Sequence, residues 1–206
     1  MKKIISYSIT ILIVLFSISC KKEKSQETDQ NTELKNYIID TKNSVINWTA
    51  FKSTEKIPVK GIFKEVHITK SNPASSPVET LKGMEFEVPV SSIFSNDSIR
   101  DFKLTNFFFK VMKNTLTLSG EFNTVENGKG MINLNMNGIS KGLPFTYEVE
   151  DGIIEVHANM NLDQWNAQPA IQALNEVCNE KHKAADGISK TWNEVDLNIQ
   201  IATVLK

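Results

Sequence analysis

Cys178 and His182 stand four residues apart in a stretch of helical periodicity, which puts both on one helix face, as a pair of metal ligands requires. Asp186 offers a third donor nearby. Two ligands and a loop carboxylate fall short of a zinc set, and a core thiol beside a surface histidine accounts for the same spacing. Ser189 and Lys190 lie in loop sequence after Asp186-Gly187, with no motif to supply a base for either as a nucleophile. His157 falls on the polar phase of an alternating stretch, and His67 sits between Val66 and Ile68. Neither has a Ser or Cys nucleophile motif to serve. The chain carries no glycine-rich phosphate loop, nucleophile elbow, His-Glu-x-x-His or Cys-x-x-Cys. The expectation is a protein that is not an enzyme, with no catalytic residues, no metal and no cofactor.

Cys20 has a different chemistry. Met1-Lys2-Lys3 is a cationic start, and the apolar run from Ile4 to Ile18 is shorter than the ~20 residues of a membrane span. That layout is a secretory signal peptide. Its end, Ser19-Cys20, resembles a bacterial lipobox, with Ser17 where most carry Leu. The resemblance implies cleavage after residue 19 and acylation of Cys20, which anchors the chain to a membrane through several fatty-acyl groups. Residues 21–36 hold four lysines, four acids and one apolar side chain, Leu34, so residues 20–36 read as a flexible tether. Lys21 rather than Asp after the cysteine points by analogy to the outer membrane, with the domain facing the periplasm or the cell surface.

The elements that must position any site occupy residues 37–206, read as one domain. With 23 basic and 24 acidic residues the chain lacks the cationic excess of a nucleic-acid binder. The dominant period is two: Met84 to Val90, Ile132 to Met136, Leu143 to Val149, Ile154 to Leu162 and Val195 to Ile201 each alternate apolar with mostly polar residues. Weaker strands fall at 44–52, 60–69 and 114–124. Glu126-Asn127-Gly128, Ser140-Lys141-Gly142 and Asp151-Gly152 supply hairpin turns. The fold expected is mostly β: a single extended antiparallel barrel or sandwich of about eight strands. A short helix over 96–104, capped by Asn96 or Asp97, and a longer one over 168–185 interrupt it. Asn166 would cap the second, Pro169 sits in its first turn and Gly187 ends it; its narrow apolar stripe lays it against the barrel wall or across one mouth.

Phe accounts for 11 aromatics, against three Trp and three Tyr. Phe102, Phe107, Phe108 and Phe109 crowd a single connection together with Leu104, Val111 and Met112. Phe63, Phe86, Phe122, Phe145, Met84, Met131, Met136 and Met160 add large side chains to the strands. These side chains fill a core, or they line a lumen suited to an apolar chain without directional groups. Composition alone leaves both open, the first being a β-sandwich interaction module with a filled core and no ligand.

The order of motifs resembles the YceI-like domain family, which is lipocalin-like and binds polyisoprenoids. Tyr37-Ile38-Ile39-Asp40 with Ser44-Val45-Ile46 matches its opening strand, and Val59-Lys60-Gly61-Ile62-Phe63 its V-x-G-x-F. Residues 98–104 followed by Phe107-Phe108 resemble its R-(D/N)-x-x-L-x-x-x-x-F-F segment. Residues 133–141 followed by Phe145 resemble its strand turn. The chain departs from the pattern at Asn43, where His is common, at the missing Tyr-Pro after Phe108, and in the long 168–190 segment before the last strand. The resemblance implies an antiparallel barrel whose apolar lumen holds an isoprenoid or related lipid without chemistry. The residues assigned to the lumen are Trp48, Phe63, Phe86, Phe107, Phe108, Leu134, Met136, Phe145, Tyr147, Val156 and Met160. Arg100 and Asp101 are expected to pair at the mouth, with Arg100 a candidate for a head group.

Overall fold

The computed structural model describes residues 36–206. The signal peptide, the lipidation at Cys20 and nearly all of the tether lie outside the described residues. Ten strands form one antiparallel sheet: β1 (Tyr37–Lys52), β2 (Ile57–Phe63), β3 (His67–Lys70), β4 (Glu85–Pro89), β5 (Ile93–Phe94), β6 (Thr117–Glu126), β7 (Lys129–Met136), β8 (Ile139–Glu150), β9 (Ile153–Asn161) and β10 (Thr191–Leu205). Their order is β3-β4-β6-β7-β8-β9-β10-β1-β2-β5. The sheet curls so that side chains from both of its ends, Phe63 and Ile93 on one and Phe86 on the other, border one interior space. This is the lipocalin-like β architecture expected, with two strands more. The expected strand over 60–69 is two, because the chain leaves the ladder at Lys64–Val66, and β5 adds a two-residue bridge to β2.

The hairpin signals held at Asn127-Gly128 and Asp151-Gly152, where both residues take positive φ. They did not hold at Ser140-Lys141-Gly142, which runs inside β8. Asn137-Gly138, with φ of 52° and 67°, makes the tight turn there instead. The alternation works as the period predicts: Ile154, Val156, Ala158 and Met160 of β9 are buried while His157 and Asn159 are exposed.

Three helices gather at one end of the sheet: α1 (Ser98–Phe107), α2 (Gln168–Val177) and α3 (Asn179–His182). Asp97 caps α1, its carboxylate accepting from the N–H groups of Ile99 and Arg100 at 3.0 Å each. The expected single helix over 168–185 breaks at Cys178 and stops at His182, before Gly187. Its cap is Ala167, without a side-chain hydrogen bond, while Asn166 takes a left-handed conformation that ends the preceding turn. At the same end Trp165 is fully buried, its indole N–H donating to the Leu134 carbonyl at 3.0 Å. At the opposite end, Asn36, just before β1, and Lys206, just after β10, exchange backbone hydrogen bonds.

Candidate functional site

The barrel interior has two kinds of wall. On β9, Ile154 and Val156 have no exposed surface. On β1 and β10, Ile46, Ala50, Val195, Leu197 and Ile199 also point inward, yet they are only half-buried. An inward side chain that keeps accessible surface borders an empty space. Here that space is an apolar cavity of about 150 Å³. A smaller cavity of about 50 Å³ adjoins it toward the start of β1 and the end of β10, sharing Ile46, Phe86, Ile132 and Ile199. A third, of about 250 Å³, adjoins it under the helices, sharing Trp48, Ala50, Leu104, Leu174 and Thr191. β1 passes all three in order, from Ile39 to Lys52. The interior is therefore elongated, apolar for most of its length, and polar only at the helical end.

Of the eleven residues assigned to the lumen, Trp48, Phe63, Phe86, Phe108, Leu134, Met136 and Met160 border the central cavity. Phe107 does not: it ends α1 and its ring packs edge-on to Phe102, which is 59% exposed, at 6.3 Å. Val156 is sealed in the packed wall of β9. Phe145 and Tyr147 sit in a chain of aromatic contacts running Phe86–Phe122–Phe145–Tyr147, with centroids 5.9, 5.4 and 6.1 Å apart, which closes the interior beside β6 and β8. The side chains sequence reasoning missed include Ile46 and Ala50 of β1, Val195, Leu197 and Ile199 of β10, and Ile171 and Leu174 of α2. The alternation of β10 was the signal available for Val195, Leu197 and Ile199.

At the helical end, Lys103 Nζ donates to the Val177 carbonyl at 2.6 Å, tying α1 to α2, and Lys52 Nζ donates to the Lys181 carbonyl at 3.2 Å, tying β1 to α3. Arg100 pairs with Asp97 at 3.4 Å and donates to the Ser95 carbonyl at 3.3 Å. It does not pair with Asp101, whose carboxylate turns to the Ser95 N–H and hydroxyl. Successive residues of an α-helix stand about 100° apart around its axis, so the two neighbours point to different sides. The Arg100 N–H foremost holds the Asp97 carboxyl below the usual carboxylate range.

Cys178 is a half-buried free thiol. The His182 ring instead meets the Thr191 hydroxyl at 2.8 Å, and Asp186 accepts from Thr54, so the three do not converge. No cluster of three or more His, Cys, Asp or Glu suited to a metal occurs among the described residues. Burial, then the charges of Lys52 and Lys103, push the His182 imidazole down to about 4. The arrangement as a whole can hold a long apolar molecule and meet its end with charge.

The sequence model of the YceI-like domain matches residues 37–203. No curated protein matches the chain. Among solved structures, a polyisoprenoid binding domain from Saccharophagus degradans implicated in plant cell wall breakdown superposes with a TM-score of 0.56 at 11% identity, covering 81% of this chain and 97% of that one. BcnA of Burkholderia cenocepacia superposes with a TM-score of 0.52 at 12% identity, covering 80% and 98%. At such identities the likeness carries the fold.

Proposed function

The chain belongs to the YceI-like domain family, and from that premise we propose that it binds a long apolar lipid, a polyisoprenoid or a close analogue, in the barrel lumen without catalysing a reaction on it. The observation that carries this reading is the half-buried inner face of β1 and β10 over a cavity whose lining is almost wholly apolar. Each methylene moved there from water contributes about 0.8 kcal/mol, less the cost of ordering the chain. An interaction module with a filled core would leave no such space. The S. degradans domain supports the lipid reading by the ligand class it is named for.

The wider setting is part of the same proposal. Cys20 becomes an acylated N-terminus, residues 20–36 form a tether, and the domain works at the bacterial envelope, anchored in the outer membrane. The support is the lipobox-like Ser19-Cys20 behind a cationic and apolar leader. Metabolic labelling with palmitate tests it: wild type takes up label and fractionates with membranes, while Cys20→Ser loses both. Binding is tested by organic extraction and mass spectrometry of gently isolated protein. A stoichiometric prenyl species is expected, and a clean apo-protein that fails to bind added prenyl lipids overturns the reading.

A further inference from the structure

α1 carries apolar side chains on two sides. Leu104 faces inward and borders the central cavity, which is all that a helix covering a core requires. Ile99 and Phe102, neighbours on the helix surface, face outward with 61% and 59% of their surface exposed. Phe107 extends the stripe, its ring edge-on to Phe102. Ile57 and Ile188 are exposed at the same end, Ile57 beside the β1–β2 turn and Ile188 on the loop that Asp186 ties to that turn through Thr54. Ile99 also borders the chamber beyond Trp48 and Leu104, so the stripe runs up to the rim of the mouth. Its flanks are cationic. Lys181 shares the mouth chamber with Asp97 at the start of α1, and Lys110 follows the end of α1, bonded to the neutral Asn106 amide at 2.7 Å. Both lysines are exposed, and neither forms an ion pair among the described residues. The nearby carboxylates are engaged: Asp97 by its capping bonds and Arg100, Asp101 by Ser95, Glu180 by Lys183.

We propose that the α1 stripe docks the domain onto an anionic phospholipid bilayer, so that a lipid passes between membrane and lumen without crossing water. The inference rests on the lumen reading above and adds the surface at which the lumen is loaded and emptied. Exposed apolar side chains enter the acyl boundary, and free lysines at either end of the stripe meet the anionic head groups. A long prenyl chain in water loses the burial that bilayer and lumen both give it, so a mouth open to solution faces a barrier that a docked mouth does not. The reach of the chain allows this contact. Asn36 lies at the far end of the sheet, and residues 20–36 extend to at most about 55 Å. β1 runs its 16 residues from that end to the mouth, a rise of about 50 Å. A domain anchored through Cys20 can therefore lay α1 on the bilayer that holds the anchor.

The test uses the full-length protein and vesicles of phosphatidylethanolamine with phosphatidylglycerol. In Phe102→Trp the emission added to that of wild type should shift to the blue on these vesicles and be quenched by lipids brominated in their acyl chains. Both effects should weaken on phosphatidylcholine alone and in high salt. Added emission that stays solvent-like and unquenched overturns the proposal. A second variant carries Ile99→Asp and Phe102→Asp, both at exposed positions. Its uptake of solanesol, a long prenol, from donor vesicles should slow at least about tenfold, because two apolar contacts with the membrane are lost. Its thermal midpoint and its binding of solanesol from detergent micelles should stay as in wild type. An unchanged uptake rate overturns docking through α1. An equal loss of binding from micelles overturns it too, since the stripe would then belong to the binding site. A stripe covered by a second copy would show as a dimer in sedimentation without vesicles, which also overturns the proposal. If wild type binds no prenyl lipid from either source the lumen reading falls, and the quenching in Phe102→Trp still decides whether α1 docks.

Discussion

Trp48 and Gly61 are direct cross-strand partners on β1 and β2, and the indole lies so close over the glycine that a Cβ built there would stand 2.2 Å from Cζ2. The same relationship recurs where Phe86 covers Gly120 and Phe145 covers Gly130, each again a cross-strand pair. A ring laid over a glycine stays against the wall, so large side chains can line the barrel without crossing it. The glycine in the V-x-G-x-F motif thus has a packing reason. Its missing side chain is the seat of Trp48 at the neck between the lumen and the mouth.

Gly61→Ala should therefore displace the indole, since the Phe94 carbonyl at 2.8 Å blocks movement of the backbone on the other side. A loss of about 1–3 kcal/mol in denaturant unfolding is expected, the range for overpacking, with a shifted tryptophan emission. Unchanged emission and stability would show that Trp48 does not need the seat.

Trp165→Phe tests the closure of the helical end. The substitution keeps much of the ring volume but removes the indole donor to the Leu134 carbonyl in a fully buried position. Losing one buried hydrogen bond costs about 0.5–1.5 kcal/mol. The midpoint of urea unfolding should fall accordingly, with little change in its slope, because the surface exposed on unfolding is nearly the same.

His182 makes stability depend on pH in a defined window. Its folded value of about 4 lies below the ordinary 6.5, so between those values the unfolded chain binds more protons than the folded one. The contribution is complete above pH 6.5 and is lost as the pH falls toward 4. Asp40, Asp97 and Asp186, all held low in the folded state, act only at and below the ordinary carboxylate value of 3.8. Unfolding midpoints measured from pH 7 to pH 4.5 should decline in wild type. His182→Asn, which retains a polar contact for Thr191, should flatten that decline.

The fold was legible because a half-buried antiparallel strand writes its inner face into every second residue, and β7, β8, β9 and β10 all do so. The site was legible only in part. Alternation separates inside from outside, but Val156 and Leu197 carry the same signal while one is sealed in a wall and the other borders the cavity. Which wall packs depends on how the sheet curls, a long-range property. The Phe cluster misled in the same way: Phe108 and Phe109 turn into the core while Phe102, on the outer side of α1, stands in solvent. The lysines of the mouth sit on β1, α1 and α3, and sequence gives no sign that those elements meet.

That difference between walls sets up the most direct test of the lumen. Val156 has no free space around it, so Val156→Phe should overpack β9 and destabilise the domain by about 1–3 kcal/mol. Leu197, cross-strand from Trp48 on β1, borders the cavity and is only half-buried. In Leu197→Phe the added ring has empty volume to enter and buries apolar surface there, so the thermal midpoint should hold or rise. The same ring occupies the space a lipid chain would use, and binding of prenyl lipids should weaken at least about tenfold, the equivalent of roughly 1.4 kcal/mol. A stable Leu197→Phe protein that binds prenyl lipid as wild type does would place the ligand elsewhere. A protein destabilised as much as Val156→Phe would mean that the β10 wall is packed after all.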